Sequence, residues 1–577
     1  MLRKLLIAGL AAVTVAVPSA FAKPQVLLPG VTYEKQVQFT INGPVVVNVL
    51  TVPRPGGLYS LQPVLSNETI PASERLTEME KRYSVGATVA GISGDRFNSD
   101  GRPLGLLMRN GAVDHKPISA RSSIGLDTSG SLHVDRVALL GTVQGSGQRR
   151  RFSLVNEAAP PNGFSLFTPA WGTATPAASG SLEFVLEPFP PAAPNVELRG
   201  PVVRAASGGG TPIPADGAVV VARGTAAQLL QAEAPVGRSV AVRLILQPSW
   251  AGVVGGIGGG PLLVRNGKSV FRAAEEFTSD YLQLRQPRAA IGQLADGRIV
   301  LVSVDGGTRG YSAGMSNFEL ARTLVRLGAV TAAALGAGPQ AGLAFDDKLL
   351  SRPPSSEPPL SDALLLAYAG VYAPSPSEPV LSPNGDNVGE IESLSYKVVR
   401  PSTVTAQLLG PGGATVPIFS GQDQPGTYPF TWNGTTPEGA RYPEGKWRFV
   451  VSATDDLGRA STIERAFALN LTLGFAKADG GTLTVPRARP RVVAFFALTH
   501  QATVTSQIET RSGVVLRTLG RKSYEPGSVQ VAWDGVTKTG GIVYSGRYVA
   551  RVRATNELGT VELTAPFTVR RSPARRR

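Results

Sequence analysis

The chain has 577 residues, no cysteine, three histidines and a formal net charge of +15 at pH 7. Without cysteine it has no disulfide, thiol nucleophile or thiolate metal site, and three scattered histidines argue against a histidine-rich metal cluster. No basic motif interleaved with aromatic residues points to nucleic acid, so we expect other anionic partners such as wall polymers, phospholipid or polysaccharide.

The chain begins with the pattern of a secretory signal peptide. Arg3 and Lys4 precede a short apolar run, Leu5 to Val17, and Ala20-Phe21-Ala22 offers a cleavage site. The run is shorter than the roughly 20 apolar residues that span a bilayer, and Ala-x-Ala at the expected distance disfavours the alternative of an uncleaved anchor. We therefore expect residues 1–22 to be removed and the mature protein to be secreted or extracytoplasmic, with peripheral attachment to the envelope or wall as an alternative to a freely soluble state.

Short β-branched runs between Gly and Pro residues predict a β-rich first half with a few helices. Thr77 and Glu80 have the spacing of a helix capping box, and Ser316 and Glu319 repeat it. An apolar face at helical period, ended by Gly328, follows the second box and comprises Phe318, Leu320, Ala321, Leu324, Val325 and Leu327. We predict a mixed α+β domain over residues 23–353.

A proline-rich stretch, Pro353 to Pro359, marks the main boundary between the halves, and residues 354–363 are interpreted as a linker.

The second half contains a domain-sized internal repeat. Trp432-Asn433-Gly434 matches Trp533-Asp534-Gly535 at an offset of 101, and the same register preserves turn glycines and alternating strands. Period-2 patterning with regular turns is typical of two-sheet sandwiches. We predict two tandem β-sandwiches, over residues 364–471 and 472–570, and a basic tail, residues 571–577. These segments resemble the FlgD-type Ig-like domain of flagellar hook-capping proteins, whose entry signature is found only in the first copy.

That entry signature carries the one candidate metal site. Asn384, Asp386, Asn387 and Glu390 place oxygen atoms on a tight turn, which a hard cation such as calcium favours. The alternative is an Asx-type turn in which these side chains bind backbone amides. We prefer the turn, because the run has fewer ligands than a full calcium loop, and we expect no other cofactor.

Several segments of the first half resemble, in order, the phosphodiester glycosidase family, which includes the enzyme that uncovers mannose 6-phosphate by removing N-acetylglucosamine. The matching segments are Ala90 to Phe97, Gly101 to Gly105, Arg109 to Gly111, Phe164 to Gly172, Gly258 to Val264, Pro287 to Gly292, Asp305-Gly306 and Ser312 to Met315. The resemblance implies a site that holds a sugar and a phosphodiester, with an envelope polymer or glycoconjugate as the partner.

Three residues are candidates for catalysis. Arg288 can engage two phosphate oxygens at once, and Asp95 and Asp305 stand at strand ends next to glycines, where a substrate can approach. Turn stabilisation is the alternative for the two acids, and a structural ion pair is the alternative for Arg288. The expected substrate-binding positions around them are Ser93, Gly94, Arg96, Gly259 and Gly306.

Departures from the family pattern leave activity open. Gly336 and Gln340 stand where the family has an aspartate and a serine, Ser93 replaces an asparagine, and Arg96 replaces an aromatic residue. One hypothesis is an exported enzyme that hydrolyses a sugar phosphodiester. A second is a catalytically degenerate protein that binds glycan or associates with the cell wall, and a third is a purely structural surface protein that leaves the cleft unused.

Overall fold

The computed structural model of the protein describes residues 20–21, 24–270 and 275–572. The expected signal peptide therefore lies outside the described residues except for Ala20–Phe21, and the basic tail does so from residue 573 onward. The chain divides into two compact units, Met1–Ala369 and Gly370–Arg577. Within the described ranges, no helix is both long and apolar enough to cross a bilayer.

The largest sheet of the first unit has nine strands, all antiparallel to their neighbours. Strand Arg288–Leu294 lies between Ile299–Val304 and Ala329–Ala337. In chain order the nine strands are Ala20–Phe21, Gln25–Leu28, Val31–Thr40, Gly43–Val52, Leu262–Arg265, Lys268–Ser269, Arg288–Leu294, Ile299–Val304 and Ala329–Ala337.

A second sheet of five strands corrects the expected domain boundary. Its strands are Tyr59–Leu65, Thr88–Ser93, Leu343–Phe345, Lys348–Leu349 and Asp362–Tyr368. The last of these pairs on one side with Tyr59–Leu65 and on the other with Thr88–Ser93. Residues 354–363 therefore do not separate the halves, and the first unit ends at Ala369.

The remaining sheets of the first unit have seven, five and two strands. The seven are Ala138–Gln144, Arg150–Phe152, Phe164–Phe167, Ser181–Leu186, Glu197–Ser207, Ala218–Arg223 and Ser239–Gln247. The five are Leu107–Arg109, Ala112–His115, Ser122–Asp127, Leu132–Arg136 and Val253–Gly258, and the two are Glu74–Arg75 and Pro359–Leu360.

The first unit is strongly β-rich, because most of its elements are strands and its helices are short. The expected mixed α+β class is therefore not clearly met. They are α1 (Leu76–Tyr83), α2 (Thr225–Glu233), α3 (Ser279–Gln283) and α4 (Asn317–Arg326). Single 3₁₀ turns occur at Ser66–Glu68, Pro169–Trp171, Gly338–Gln340 and Pro411–Gly413.

The two capping predictions had different outcomes. At α4 the Ser316–Glu319 box is confirmed, since each residue accepts a hydrogen bond from the main-chain N–H of the other. At α1 the prediction was wrong by two residues, because Glu78 accepts from Arg75 N and Glu80 is buried. Of the expected apolar face of α4, Leu320, Ala321 and Leu324 are buried, whereas Phe318 is 45% exposed.

The second unit contains the two predicted sandwiches. In the first, the sheets comprise Val380–Leu381, Glu392–Val398, Ser402–Leu409, Thr415–Asp423, Gly426–Trp432, Gly445–Asp455 and Ala460–Leu469. In the second they comprise Leu473–Ala478, Thr482–Val485, Arg491–Leu498, Ala502–Thr510, Val515–Tyr524, Gly527–Trp533, Gly546–Asn556 and Gly559–Arg571. Trp432 and Trp533 are buried at equivalent strand ends, which agrees with the repeat offset of 101.

Candidate functional site

Two aspartates meet at one edge of the five-stranded sheet that contains Thr88–Ser93 and Asp362–Tyr368. There the first of these strands ends and its antiparallel neighbour begins. Asp95 follows strand Thr88–Ser93, and Asp362 opens strand Asp362–Tyr368, which pairs with it through Ala363 and Ser93. The main-chain N–H of Asp95 donates to Asp362 Oδ1 at 2.8 Å. Asp362 is 1% exposed, whereas Asp95 is partly exposed.

Burial raises the pKa values of both carboxyl groups of this pair. Burial, followed by the nearby charge of Asp95, raises the pKa of Asp362 to about 8. Burial also raises the pKa of Asp95, but the main-chain N–H groups of Arg96 and Gly105 and the charges of Arg121 and Arg96 oppose that rise. We therefore assign the negative charge of the pair to Asp95 and the retained proton to Asp362.

Glycines allow the close approach of the two carboxyl groups to the backbone around them. A β-carbon at Gly94 would lie 2.0 Å from Asp362 Oδ1, and one at Gly258 would lie 2.0 Å from Asp95 Oδ2. Any larger residue at either position would displace an acid. Gly94, predicted to bind substrate, thus acts here by making room for Asp362.

Two arginines and two stacked aromatic rings lie beside Asp95. The rings of Phe277 and Tyr281 stack with centroids 4.9 Å apart. The Arg96 guanidinium lies 5.0 Å from the Tyr281 centroid, and that of Arg121 lies 4.7 Å from the Phe277 centroid. All four side chains are partly exposed. Cation–π contact fixes both guanidinium groups near the acids, where they can bind an anion.

Arg288 lies on the same Tyr281 ring, 5.2 Å from its centroid, but its polar atoms are engaged by the protein. Its Nε donates to Met315 O at 3.0 Å, and its Nη2 donates to the carbonyls of Tyr281 and Leu284 at 2.7 and 2.8 Å. The residue is 1% exposed, and burial lowers its pKa to about 10. These contacts are structural, but they are made with main-chain carbonyls rather than with the acid of the expected ion pair.

Asp305 belongs to a different group of residues. Its Oδ1 accepts from Asn48 Nδ2 and Arg352 N, both at 2.9 Å, and its Oδ2 accepts from the Tyr311 hydroxyl at 2.8 Å. Burial raises its pKa against the effect of these donors and of Lys35. The carboxyl group orders the loop that follows its strand, which is the alternative role that the sequence left open for it.

The other predicted substrate-binding positions make contacts within the protein. The Ser93 hydroxyl accepts from Gly342 N at 3.1 Å, and Ser93 is 1% exposed. A β-carbon at Gly306 would lie 2.8 Å from Pro287 N, and one at Gly259 would lie 2.7 Å from Ala334 O. Both glycines therefore permit close strand packing, and Arg96 alone of this set faces the acids with a charge.

The position of the missing family aspartate adjoins the acid pair. Gly336 N donates to Gly94 O at 2.7 Å, and a β-carbon at Gly336 would lie 3.0 Å from that oxygen and 3.6 Å from Asp95 O. The acid pair of this chain thus stands next to the point where the family carries its own acid.

In the entry loop of the first sandwich, the side-chain oxygens accept hydrogen bonds from backbone amides of the same loop. Glu390 Oε1 accepts from the main-chain N–H groups of Gly385, Asp386 and Asn387, and Asp386 Oδ1 accepts from Val388 N. Asn384 Oδ1 accepts from Asp386 N. This is the Asx-type turn, and among the described residues no group of three His, Asp or Glu side chains is arranged to hold a metal ion.

Sequence reasoning missed four residues of this site, namely Arg121, Phe277, Tyr281 and Asp362. Asp362 was hidden by its assignment to a linker, although Ser361-Asp362 directly precedes an apolar run that reads as a buried strand. Arg121, Phe277 and Tyr281 lie outside every recognised motif, and only the fold brings them to Asp95.

Two segments of the chain match models of known protein families. Residues 194–367 match the model of the phosphodiester glycosidase family, and residues 393–456 match that of the FlgD Ig-like domain. The resemblance drawn from the sequence is confirmed: the chain carries a phosphodiester glycosidase domain followed by a FlgD Ig-like domain. Asp95, Arg96 and Arg121 precede the first matched segment. The segment contains Phe277, Tyr281, Arg288, Asp305 and Asp362.

Several solved structures are similar to the chain. A hypothetical protein from Synechocystis is 28% identical with a TM-score of 0.49, over 59% of this chain and 62% of that protein. A Burkholderia pseudomallei protein, named as one expected to be exported, is 21% identical with a TM-score of 0.45, over 56% and 74%.

The catalytic domain of zebrafish N-acetylglucosamine-1-phosphodiester α-N-acetylglucosaminidase, auto-inhibited by its pro-peptide, is 14% identical with a TM-score of 0.31, over 61% of this chain and 87% of that one. No curated protein matches the chain.

Proposed function

We propose that the first unit binds and hydrolyses a sugar phosphodiester at a site formed by Asp95, Asp362, Arg96 and Arg121. The observation that carries this proposal is the pair of aspartates, one buried and one partly exposed, beside two arginines held on aromatic rings. A single site of this kind supplies both signs of charge that the substrate requires.

The two arginines are suited to the phosphate. Cleavage of the bond between the anomeric carbon and the phosphate oxygen leaves the bonding electron pair on that oxygen. Guanidinium groups stabilise this developing charge and can bind two phosphate oxygens each. Because a phosphate ester is a weak base, its departure needs cations rather than a proton donor.

Asp95 is suited to activate water. Its carboxylate accepts one proton from a water molecule as the water oxygen bonds to the anomeric carbon and the bond from that carbon to the phosphate oxygen breaks. The products are the free sugar and a phosphate monoester. Asp362 does not contact substrate in this scheme. It is a positioning residue, since its Oδ1 accepts from Asp95 N and its bound proton spares the site a second negative charge.

A non-catalytic role in glycan binding is the second candidate. It is favoured by Gly336 and Gln340, which stand where the family has an acid and a serine. In that case the arginines would still bind a sugar phosphate, but no turnover would follow.

Turnover by the purified full-length protein separates the two. We expect ³¹P NMR to show conversion of a sugar phosphodiester to the monoester, and D95N to lower kcat about 100-fold or more, the usual contribution of a general base. R96Q combined with R121Q should raise KM and lower kcat. D296N, which changes an exposed aspartate of the same unit, serves as the control. Saturable binding by the wild type without turnover would favour the second candidate.

We also propose that the protein acts outside the cytoplasm, on an envelope polymer or glycoconjugate. This rests on the signal-peptide pattern of residues 1–22. Sequencing of the amino terminus of the protein recovered from an expressing cell tests it: we expect the mature chain to begin at Lys23.

A further inference from the structure

A hairpin of the nine-stranded sheet exposes large apolar side chains at its tip. Strands Val31–Thr40 and Gly43–Val52 are joined by a two-residue turn, and Ile41 in that turn is fully exposed, while Phe39 just before it is 59% exposed. Phe318 on α4 is 45% exposed. Exposure of a large apolar side chain to water is unfavourable. Its position at the tip of a hairpin therefore favours contact with an apolar phase.

A cavity of about 250 Å³ lies between this hairpin and α4. Its residues come from the strand that ends at Thr40, from α4 and from the segments before α4, and they are Gln38, Thr40, Arg285, Met315, Glu319, Arg322, Thr323 and Arg326. Met315 and Thr323 are buried, whereas Arg322 and Arg326 are exposed. The Arg322 guanidinium lies 4.2 Å from the centroid of the Phe318 ring, so the apolar and cationic groups adjoin.

The cavity offers hydrogen-bond donors in excess of acceptors. Its single acid, Glu319, is already engaged by Ser316 and by the guanidinium of Arg285. Two buried nitrogen atoms of the lining residues, Arg285 Nε and Gln38 Nε2, have no hydrogen-bond partner within the protein. Buried donors without partners are costly and rare. The exposed Arg322 and Arg326 together with these two unpartnered donors call for an anion with several oxygen atoms, and the volume suits a phosphate-bearing headgroup.

We propose that this end of the first unit binds an anionic phospholipid surface, with the headgroup phosphate in the cavity and Phe39 and Ile41 at the hairpin tip in the acyl boundary. A free phosphate would satisfy the arginines but would leave the apolar hairpin tip in water, whereas a bilayer satisfies both. Residues 23–369 have 31 Lys and Arg against 26 Asp and Glu, and this positive charge adds long-range attraction to such a surface. None of these residues belongs to the site around Asp95, so the inference stands independently of the proposed enzymatic activity.

Flotation of the purified protein with vesicles tests the proposal. We expect it to float with vesicles that contain phosphatidylglycerol, to remain unbound with pure phosphatidylcholine, and to dissociate as salt rises. F39S combined with I41S should weaken binding about tenfold or more, and so should R322Q combined with R326Q. Glycerol phosphate should compete weakly with vesicles, since it lacks the acyl chains.

Matched variants serve as controls. V85S removes another exposed apolar side chain of the first unit, and R204Q with R238Q removes two exposed arginines of that unit. Both should bind vesicles like the wild type. The proposal is overturned if the wild type does not float, if pure phosphatidylcholine binds equally well, or if the control variants lose as much affinity as the test variants. It is also overturned if F39S with I41S instead converts a dimer to a monomer, because the hairpin would then join two copies of the chain.

Discussion

A carboxyl group buried beside another carboxylate holds a proton that the unfolded chain would release. For Asp362, burial and the charge of Asp95 raise the pKa to about 8, against about 3.9 in an unfolded chain. Between these two values the folded protein binds one more proton than the unfolded protein does. The stability that this proton contributes is therefore complete below pH 4 or so and is lost as pH rises through about 8.

D362N should remove this dependence. The amide keeps an oxygen to accept from Asp95 N but does not titrate. We expect the stability of D362N relative to the wild type to rise with pH, by up to about 1.4 kcal/mol per pH unit between roughly pH 4 and pH 8. Urea unfolding at several pH values measures this. A stability difference that stays constant across that range would show that Asp362 is ionised at neutral pH, and an equal change in D100N would show that the pH dependence does not come from Asp362.

Arg288 illustrates a residue whose motif is informative although its expected role is not. Its guanidinium donates to the carbonyls of Met315, Tyr281 and Leu284. These bonds help to hold Tyr281, whose ring contacts Arg96, in place. R288A should lower the free energy of unfolding by about 3 kcal/mol or more, because three carbonyls lose a charged donor. R298A, which changes an exposed arginine just before the next strand, should change it by less than about 0.5 kcal/mol. If R288A keeps wild-type stability but loses affinity for phosphate, the phosphate-binding role is correct.

Among the elements, strand Asp362–Tyr368 matters most to the first unit. It pairs with strands on both sides, and Ala363, Leu364, Leu365 and Leu366 are at most 1% exposed. It also delivers Asp362 to the acid pair. A strand in this position holds two neighbours together, so its removal leaves both with unpaired backbone groups.

A fragment of residues 24–369 should fold, whereas residues 24–353 should not. Each buried aliphatic side chain of the strand contributes about 1.5–3 kcal/mol, and several of them together reach the whole stability of a typical domain. Near-ultraviolet circular dichroism and thermal unfolding distinguish the fragments. Cooperative unfolding of the shorter fragment would contradict the assigned boundary at Ala369.

Local patterns predicted some elements well and misplaced others for identifiable reasons. The Ser316 capping box and the repeat around Trp432 and Trp533 depend on short-range chemistry, and both are found where the sequence predicts them. The proline run before Asp362 suggested a linker, but proline is also tolerated at the edge strand Pro359–Leu360. Phe318 fits the helical period yet is exposed, because α4 buries a narrower face than its pattern suggests.

The candidate site depended on contacts that no motif records. The hydrogen bond between Asp95 and Asp362 joins residues 267 positions apart. The aromatic rings that the two arginines contact come from a third segment. Asp95 and Arg96 were found from the family resemblance, whereas Asp362 and Arg121 required the fold.

At the scale of the whole molecule, the proposed chemistry belongs to the first unit. In the second unit, the two sandwiches differ in the sign of their net charge. The sandwich within residues 370–471 has 7 Lys and Arg against 10 Asp and Glu, whereas residues 472–577 have 17 against 6. Two copies of one fold have thus diverged in sign, so they present different surfaces to an anionic polymer.

The central claim is that water activated by Asp95 attacks the anomeric carbon of a sugar phosphodiester. Hydrolysis in ¹⁸O-labelled water, with mass analysis of both products, tests it most directly. We predict that the label enters the sugar and that the phosphate monoester carries none, with D95N giving little of either product. Label in the phosphate, or no turnover of any sugar phosphodiester by the wild type, would contradict the claim.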